Sequence, residues 1–390
     1  MMHSGLTPIP FARPDLGEAE ANAARDAVLS GWVTQGPRVA AFEAAFAQAC
    51  GAPYACAVSS ATTALHLALI AVGVLPGDEV ITVSHSFIAT ANAVRYCGAR
   101  PVFVDIDPAT YNLDPGRLAE AIGQKTRAIL CVHQIGMPCD MTAILRIARA
   151  HGVPVVEDAA CAIGSEISVD GGPLEPVGRP HGDMACFSFH PRKVLTTGDG
   201  GMLTTRDPRY NARFRLLRQH AMNVSDAARH SAREVIFESY GELGYNYRMT
   251  DIQAAVGLEQ LKRLPALIGR RRSLAARYHA LLSAIPGLGI PAEPEWARSN
   301  WQSYAVRLPE GQDQRAVMQA LLDRGISSRR GVMCAQLEKA YADVPLRFPL
   351  PHSEAARDRT VLLPLFPQMT QAEQDRVVSA LADACRQVAV

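Results

Sequence analysis

The stretch from Phe187 to Met202, FSFHPRKVLTTGDGGM, guides the interpretation of the whole sequence. An apolar, strand-like segment (Met184 to Phe189) leads into a polar turn that contains Lys193, and glycines, which let backbone approach a ligand closely, end the turn. A lone lysine usually lies on the surface, whereas an amine held partly out of water beside an electrophile acts as a covalent catalyst. Because Ser188 and His190 make the chain polar where the lysine emerges, we interpret Lys193 as a candidate Schiff-base lysine.

Composition and charge indicate a globular enzyme. The 390 residues suffice for two domains, and 48% hydrophobic with 20% charged residues is typical of a folded soluble protein. With a net charge of +1, nothing global favours nucleic acid or an anionic membrane as a partner. No stretch approaches the ~20 apolar residues of a membrane span, and the N-terminus has no apolar core of signal-peptide type.

The cysteines favour a reducing compartment. Nine are scattered along the chain without a C-x-x-C pair or a His/Cys spacing typical of metal sites. An odd, scattered set fits buried thiols in a reducing cytoplasm. We therefore expect a soluble cytoplasmic protein without a metal.

Apolar strands alternate with helical segments from residue 54 onward, which predicts an α/β fold with a mainly parallel sheet covered by helices on both faces. The predicted strands span residues 54–58, 79–83, 101–105, 128–132 and 154–157, and the predicted helices 64–72, 88–96, 114–122 and 141–151. An irregular, mobile loop is expected from Met222 to Glu238, followed by a helix over 249–264 and another from Pro265 to about 285. We expect a large domain, residues 1–250, and a small C-terminal α+β domain, residues 251–390.

Candidate site residues stand at the carboxyl ends of the predicted strands, where ligands bind in parallel sheets. The run Ser60-Ala61-Thr62-Thr63 offers backbone N–H groups and a helix dipole to a phosphate, although alone it also fits an ordinary N-cap. Asp158 lies 35 residues before Lys193 and ends the segment VPVVED, where a carboxylate either caps the strand or keeps a pyridinium nitrogen protonated. Phe87 either packs in the core or stacks on a planar ring. A pyridoxal-phosphate site is predicted jointly by four features in this order along the chain: the phosphate-binding turn, the aromatic ring Phe87, the carboxylate of Asp158 and Lys193.

Six stretches give the chain a specific resemblance to a known family. They are SSATTALHLAL (59–69), HSFIATANAV (85–94), VDIDPATYNLD (104–114), VVEDAACAIGS (155–165), FSFHPRKVLTTGDGGM (187–202) and GYNYRMTDIQAAVG (244–257). From about Pro10 to Val388 the chain resembles the DegT–DnrJ–StrS family of pyridoxal-phosphate sugar aminotransferases, and pseudaminic-acid-pathway members look most similar. The resemblance implies the fold-type-I aminotransferase architecture and a homodimer with active sites at the subunit interface.

The resemblance also implies roles for single residues. Lys193 matches the Schiff-base lysine, and Asp158 matches the partner of the pyridine nitrogen. Phe87 matches the residue that stacks on the ring. The phosphate contacts are matched by Ala61, Thr62 and Ser188, and by Asn246, which reaches the phosphate from the neighbouring subunit.

Three departures from the family pattern bear on the substrate. Cys161 stands where members usually carry glutamine or histidine beside the cofactor's ring hydroxyl, and Met137 replaces a usual polar residue, so a more apolar cofactor rim is expected. The stretch from Gly325 to Tyr341 lacks the histidine-proline pattern that lines the sugar-nucleotide pocket. Within it, Arg329-Arg330 are either substrate-binding cations or a solvated pair. His190 is a further candidate substrate contact.

The resemblance implies a transaminase that moves an amino group from an amino acid, expected to be L-glutamate, to a keto-sugar. We expect the sugar to be nucleotide-linked and the pathway to be surface-polysaccharide or amino-sugar biosynthesis. A non-nucleotide ketone such as a keto-cyclitol is the alternative that the 325–341 departure leaves open. Family dehydratases carry histidine at the lysine position, so Lys193 argues against that branch. Retention of Lys193 and Asp158 argues against a non-catalytic regulatory protein.

Overall fold

The computed structural model describes residues 7–224 and 233–387, and a seven-stranded sheet forms its centre. The strands, in chain order, are β1 (Tyr54–Val58), β2 (Glu79–Val83), β3 (Arg100–Val104), β4 (Thr126–Val132), β5 (Val155–Asp158), β6 (Glu166–Ile167), β7 (Glu175–Pro176), β8 (Met184–Ser188), β9 (Gly201–Thr205), β10 (Ala297–Arg298), β11 (Tyr304–Arg307), β12 (Arg329–Arg330) and β13 (Thr360–Leu363). The central sheet has the order β1-β9-β8-β5-β4-β2-β3, and two three-stranded sheets, β10-β6-β7 and β11-β13-β12, accompany it.

The central sheet is mainly parallel, as predicted. β9 runs antiparallel to both of its neighbours, β1 and β8, whereas the pairs β8-β5, β5-β4, β4-β2 and β2-β3 are parallel. The carboxyl ends of β1, β8, β5, β4 and β2 therefore lie at one edge of the sheet.

Helices cover the sheet and form much of the remaining chain. Their bounds are Glu18–Leu29, Pro37–Cys50, Ala61–Ala71, Ala89–Tyr96, Leu118–Ala121, Met141–His151, Pro208–Leu217, Asp251–Leu282, Gln314–Asp323, Pro351–Arg359 and Gln371–Gln387. Local sequence explains several ends: Asp140 caps one helix by accepting a 3.0 Å hydrogen bond from the Ala143 N–H. Gly152 ends the same helix in the left-handed conformation, with φ of 64°. No helix among the described residues has the length and apolar composition that crossing a membrane requires.

Three sequence-based boundaries need correction. The helix expected from residue 64 already begins at Ala61, because the Ser60 side chain caps it. The helix expected over 114–122 is a 3₁₀ turn, Pro115–Arg117, followed by the short helix Leu118–Ala121. Pro265 does not separate two helices but lies inside the continuous helix Asp251–Leu282.

The helix tolerates Pro265 because its neighbours are anchored on both sides. Proline removes one backbone hydrogen bond from a helix interior. Leu264 and Leu267 flank it and are both buried in the main hydrophobic core. Burial of such side chains stabilises each by roughly 1.5–3 kcal/mol, which offsets the lost bond. Tertiary packing thus outweighs the local breaker.

Two hydrophobic cores share the long helix. Its first half contributes Leu264 and Ile268 to the core around the central sheet, and its second half contributes Leu274 and Tyr278 to a core built on β11 and β13. The domain boundary at about residue 250 stays a prediction. The predicted irregular loop from Met222 to Glu238 falls partly on residues 225–232, which lie outside the described residues.

Candidate active site

The loop that carries Lys193 connects β8 to β9, whose adjoining ends pair with each other at Ser188 and Gly201. The loop therefore returns to its starting point, and Lys193 projects from it at the carboxyl edge of the sheet. The Lys193 backbone N–H donates to the His190 carbonyl over 2.8 Å, which fixes the turn. The side-chain Nζ donates a 2.9 Å hydrogen bond to Sγ of Cys161. Lys193 and Cys161 are both half-buried.

Gly201 brings this loop against the predicted phosphate turn. It pairs with Ser188 of β8 on one side and with Val58 of β1 on the other. A Cβ atom on Gly201 would overlap the carbonyl oxygen of Ser60 and lie 2.8 Å from the backbone nitrogen of Ala61. Only glycine permits this approach, so Ser188 lies beside the start of the helix Ala61–Ala71.

The predicted phosphate turn, residues 60–63, is the capped start of the helix Ala61–Ala71. Oγ of Ser60 accepts a hydrogen bond of 3.2 Å from the Thr63 N–H, and the Thr63 hydroxyl receives one of 3.1 Å from the Ser60 N–H. The first-turn N–H groups of Ala61 and Thr62 have no intrahelical acceptor, as in any helix, so they are the donors that an anion would use. The two interpretations, a helix cap and a phosphate site, are therefore compatible. The cap uses the polar groups of Ser60 and Thr63 and leaves the backbone N–H groups of Ala61 and Thr62 free for a phosphate.

Asp158 ends β5, adjacent to β8 in the sheet. Its carboxylate is buried, 5% exposed, and accepts hydrogen bonds from the Thr90 hydroxyl to Oδ2 over 2.8 Å and from the Ala160 N–H to Oδ1 over 3.1 Å. Burial raises the pKa of Asp158, whereas the bonds from Thr90 and Ala160 and the nearby Lys193 charge act in the opposite direction. A desolvated carboxylate in this position favours a cationic partner, which a protonated ring nitrogen supplies.

These observations fit pyridoxal phosphate. The amine and the buried carboxylate stand at the ends of the neighbouring strands β8 and β5, and Gly201 of β9 allows the helix start with its free N–H donors to approach the end of β8. Among the residues that the structure describes, no group of three or more His, Cys, Asp or Glu side chains is placed to hold a metal ion.

The other predicted site residues lie as follows. Phe87 is 63% exposed in the single chain, so it is not a core phenylalanine and its ring is accessible for stacking. Asn246 is exposed, in a segment whose Tyr247 carbonyl accepts a 2.9 Å bond from the Ser59 N–H. His190 is half-buried, and burial lowers its pKa.

The predicted substrate arginines lie in the small antiparallel sheet. Arg329 and Arg330 form β12 and are both exposed. Arg330 is 3.6 Å from Glu338 in an ion pair between half-exposed side chains, which contributes little to stability. Their role toward a substrate stays a prediction.

The stretch 325–341, which departs from the family pattern, contacts the edge of the sheet at which the candidate site lies. The Ala335 N–H donates to the Ser84 carbonyl over 3.0 Å, just beyond the end of β2, and the Gln336 N–H donates to the Ser84 hydroxyl over 3.3 Å. Met137, the second departure, is buried, and its carbonyl accepts a 3.0 Å bond from the Asn112 amide.

Sequence reasoning assigned no role to four residues that position the candidate site. Ser86 and Thr90 form a hydroxyl pair, 2.7 Å apart, behind Asp158.

The Asn300 amide donates to the Cys161 carbonyl over 2.8 Å, and the Gln302 amide donates to the Arg192 carbonyl over 3.0 Å. Ser86 and Thr90 stand in the stretch HSFIATANAV, which could have signalled them. No sequence pattern connects residues 300–302 to residues more than one hundred positions earlier.

Comparisons with known proteins agree with this geometry. A model of the DegT/DnrJ/EryC1/StrS aminotransferase family matches residues 14–382. The aminotransferase TlmJ from Streptoalloteichus hindustanus is 36% identical with a TM-score of 0.89, and the match covers 97% of this chain and 99% of that chain. DesI, solved in the presence of its TDP-sugar product, is 32% identical with a TM-score of 0.86, over 98% and 94% of the two chains. Spr1654 from Streptococcus pneumoniae, in its PLP form, is 29% identical with a TM-score of 0.88, over 98% and 100%.

A family model that spans nearly the whole chain, together with these structures, confirms the predicted fold, cofactor and reaction class. The chain belongs to the DegT/DnrJ/EryC1/StrS aminotransferase family and is a pyridoxal-phosphate-dependent transaminase.

Proposed function

We propose that this transaminase moves the amino group of L-glutamate to a keto-sugar linked to a nucleotide, in surface-polysaccharide or amino-sugar biosynthesis. The observation that carries the catalytic part is the placement of Lys193, Asp158 and the turn at Ala61 on adjoining strand ends. The substrate class is supported by family membership and by the likeness to DesI, which was solved in the presence of its TDP-sugar product.

In the proposed reaction, Lys193 is the covalent anchor of the cofactor and the group that moves protons. Pyridoxal phosphate, when bound, delocalises the negative charge left on a carbon that loses its proton. The free amine of Lys193 would take that proton and return it to the carbon on the other side of the transferred nitrogen. Its half-buried position beside Cys161 keeps it near the reacting atoms and partly out of water.

Asp158 has an electrostatic role in this proposal. Its buried carboxylate holds the ring nitrogen in the protonated form, and the hydroxyl of Thr90 fixes the carboxylate. The backbone N–H groups of Ala61 and Thr62, with the hydroxyl of Ser188, hold the phosphate. Phe87 stacks on the ring.

We further propose a cytoplasmic homodimer with shared sites. Apolar side chains that are mostly exposed in the single chain support it: Phe87 beside the site, and Val235, Phe237 and Leu243 in the segment before Asn246. Exposed apolar groups concentrated in one segment are typical of protein interfaces. Asn246 would then reach the phosphate of the partner's site.

A non-nucleotide ketone, such as a keto-cyclitol, is the second candidate. It is favoured by the 325–341 stretch, which lacks the family's pocket pattern and yet packs on the end of β2 at Ser84. The deciding experiment is an assay of keto-sugar nucleotides, the same keto-sugars without nucleotide, and keto-cyclitols, each with glutamate as donor. The proposal predicts kcat/KM at least tenfold higher for a nucleotide-linked ketone. Higher kcat/KM for a keto-cyclitol would overturn the substrate assignment.

A further inference from the structure

The hydrogen bond between Lys193 Nζ and Cys161 Sγ joins two residues from different loops. Cys161 follows β5 and Lys193 follows β8, and their side chains meet over 2.9 Å at the carboxyl edge of the sheet. We propose that Cys161 is a positioning residue for Lys193: its sulfur holds the lysine amine in place whenever that amine is free of the cofactor. This inference rests on the proposed role of Lys193 in transamination.

Both members of the pair are fixed by one segment of the C-terminal part of the chain. The Asn300 amide donates to the Cys161 carbonyl and, over 2.8 Å, to the Ile163 carbonyl, and Asn300 is fully buried. The Gln302 amide donates to the Arg192 carbonyl, next to Lys193. The segment 300–302 therefore sets the distance between the two loops, and the buried side chains of Asn300 and Gln302 hold the backbone that presents the sulfur to the amine.

The sulfur is the one hydrogen-bond acceptor that Nζ has among the residues the structure describes. Asp158 is close enough for the Lys193 charge to act on its pKa, but its carboxylate oxygens accept hydrogen bonds from Thr90 and Ala160. A lysine side chain has four rotatable bonds, so an amine without an acceptor samples many positions. Proton transfer needs a narrow geometry, which one hydrogen bond to a fixed sulfur provides.

The pair is chemically distinctive in this chain. Among the nine cysteines, all of which lie in the described residues, Cys161 is half-buried and the other eight are buried. The sequence contains four lysines, and the three besides Lys193, namely Lys125, Lys262 and Lys339, are surface residues. Lys193 and Cys161 are therefore expected to form the one contact between a lysine amine and an accessible thiol in the described part of the chain.

This arrangement permits a direct test with o-phthalaldehyde, which condenses with one primary amine and one thiol to a fluorescent isoindole and releases two molecules of water. Full-length protein stripped of cofactor should form one isoindole per chain, mapped to Cys161 and Lys193. Protein loaded with pyridoxal phosphate should form none, because the amine is engaged. The variants Cys161→Ser and Lys193→Ala should give no signal. Stripped wild-type protein without an isoindole would overturn the inferred pairing.

Kinetics then test the positioning role. Cys161→Ala should lower kcat by about 3- to 10-fold, the effect of one lost hydrogen bond, and leave the KM for the amino donor unchanged. Cys161→Ser should restore most of kcat because its hydroxyl oxygen also accepts a hydrogen bond. The rate at which added pyridoxal phosphate regains its protein-bound absorbance in stripped protein should follow the same order. Unchanged kcat and absorbance kinetics in Cys161→Ala would contradict the inference.

The two proposals fail in different ways. If Lys193 were not the cofactor lysine, loaded protein would still form the isoindole, and the proposed function would fall while the pair remained. If the pair were absent, neither form would yield the isoindole, although the cofactor would still attach to Lys193.

Discussion

The Thr90 hydroxyl donates a hydrogen bond of 2.8 Å to Oδ2 of Asp158. It has one proton, so its contact of 2.7 Å with the Ser86 hydroxyl makes Ser86 the donor to Thr90. All three side chains are buried, and the chain Ser86–Thr90–Asp158 directs two hydroxyl dipoles at one carboxylate. The ionised form of Asp158 depends on this arrangement, since burial alone disfavours it.

Thr90→Val should remove that support without changing the shape of the side chain. The pKa of Asp158, already raised by burial, should rise further because the bond from Thr90 lowers it. In the proposed mechanism activity depends on the ionised carboxylate, so the acid limb of the kcat/KM profile should move to higher pH. At a pH on that acid limb we expect roughly a tenfold loss of kcat/KM, because a hydrogen bond to a charged group contributes about 1.5 kcal/mol or more. Thr90→Ser, which keeps the hydroxyl, is the control; equal pH profiles for both variants would refute this account.

Asp158→Asn should separate stability from activity. An amide cannot hold the ring nitrogen protonated by its charge, so transamination should fall by orders of magnitude while the cofactor stays bound. The pKa of Asp158 in the folded state lies above its ordinary value. As the pH rises, the unfolded chain therefore loses this proton before the folded chain does, and the free energy of unfolding decreases. Removing the charge should therefore raise the Tm of cofactor-free protein at neutral pH. Near-normal turnover in the variant would make Asp158 a strand-end cap.

Gly201→Ala should separate the lysine loop from the phosphate turn. Its Cβ would meet the Ser60 carbonyl and the Ala61 backbone nitrogen, which cannot move as a side chain can. We expect a loss of about 1–3 kcal/mol in the free energy of unfolding and weaker cofactor binding. Gly269→Ala is the matched control, because Gly269 lies in the long helix with nothing within 4 Å of an added Cβ. That variant should gain up to about 1 kcal/mol and bind cofactor normally; similar losses in both would contradict the close-approach argument.

Asn246 tests the shared site. If its amide reaches the partner's phosphate, mixing inactive Lys193→Ala with weakly binding Asn246→Asp should give hybrid dimers, each with one intact site. Recovered activity should approach roughly half that of a wild-type dimer if subunits exchange and sites act independently. Failure to recover activity, with exchange demonstrated by an independent label, would assign Asn246 and Lys193 to the same subunit's site.

The sequence predicted the central sheet and the polar ends of its strands well for a physical reason. Strands buried on both faces form continuous apolar runs, and their ends are marked by polar residues such as Asp158 and Ser188. The order of the strands and the reversed direction of β9 were not predicted, because an apolar run carries no record of its pairing partner. Pro265 predicts a helix boundary from the sequence, and the structure differs because the packing of its neighbours overrides this local helix breaker.

The site was predicted less completely than the fold. Lys193, Asp158 and the turn at Ala61 could be proposed as site residues from the sequence because each lies at a strand end. Residues that act through them were missed: Thr90 reaches Asp158 from a helix, and Asn300 reaches Cys161 from 139 residues away in sequence. Such contacts exist only after folding, since nothing in the local sequence specifies their partners.

Borohydride reduction tests the central claim most directly. Treating the loaded enzyme with sodium borohydride converts the bond between cofactor and lysine to a stable amine, and peptide mapping then identifies the labelled residue among the four lysines of the chain. The account predicts the cofactor on Lys193 alone, and no label in a folded Lys193→Ala variant that has also lost turnover. Label on Lys125, Lys262 or Lys339, or turnover retained by Lys193→Ala, would contradict it.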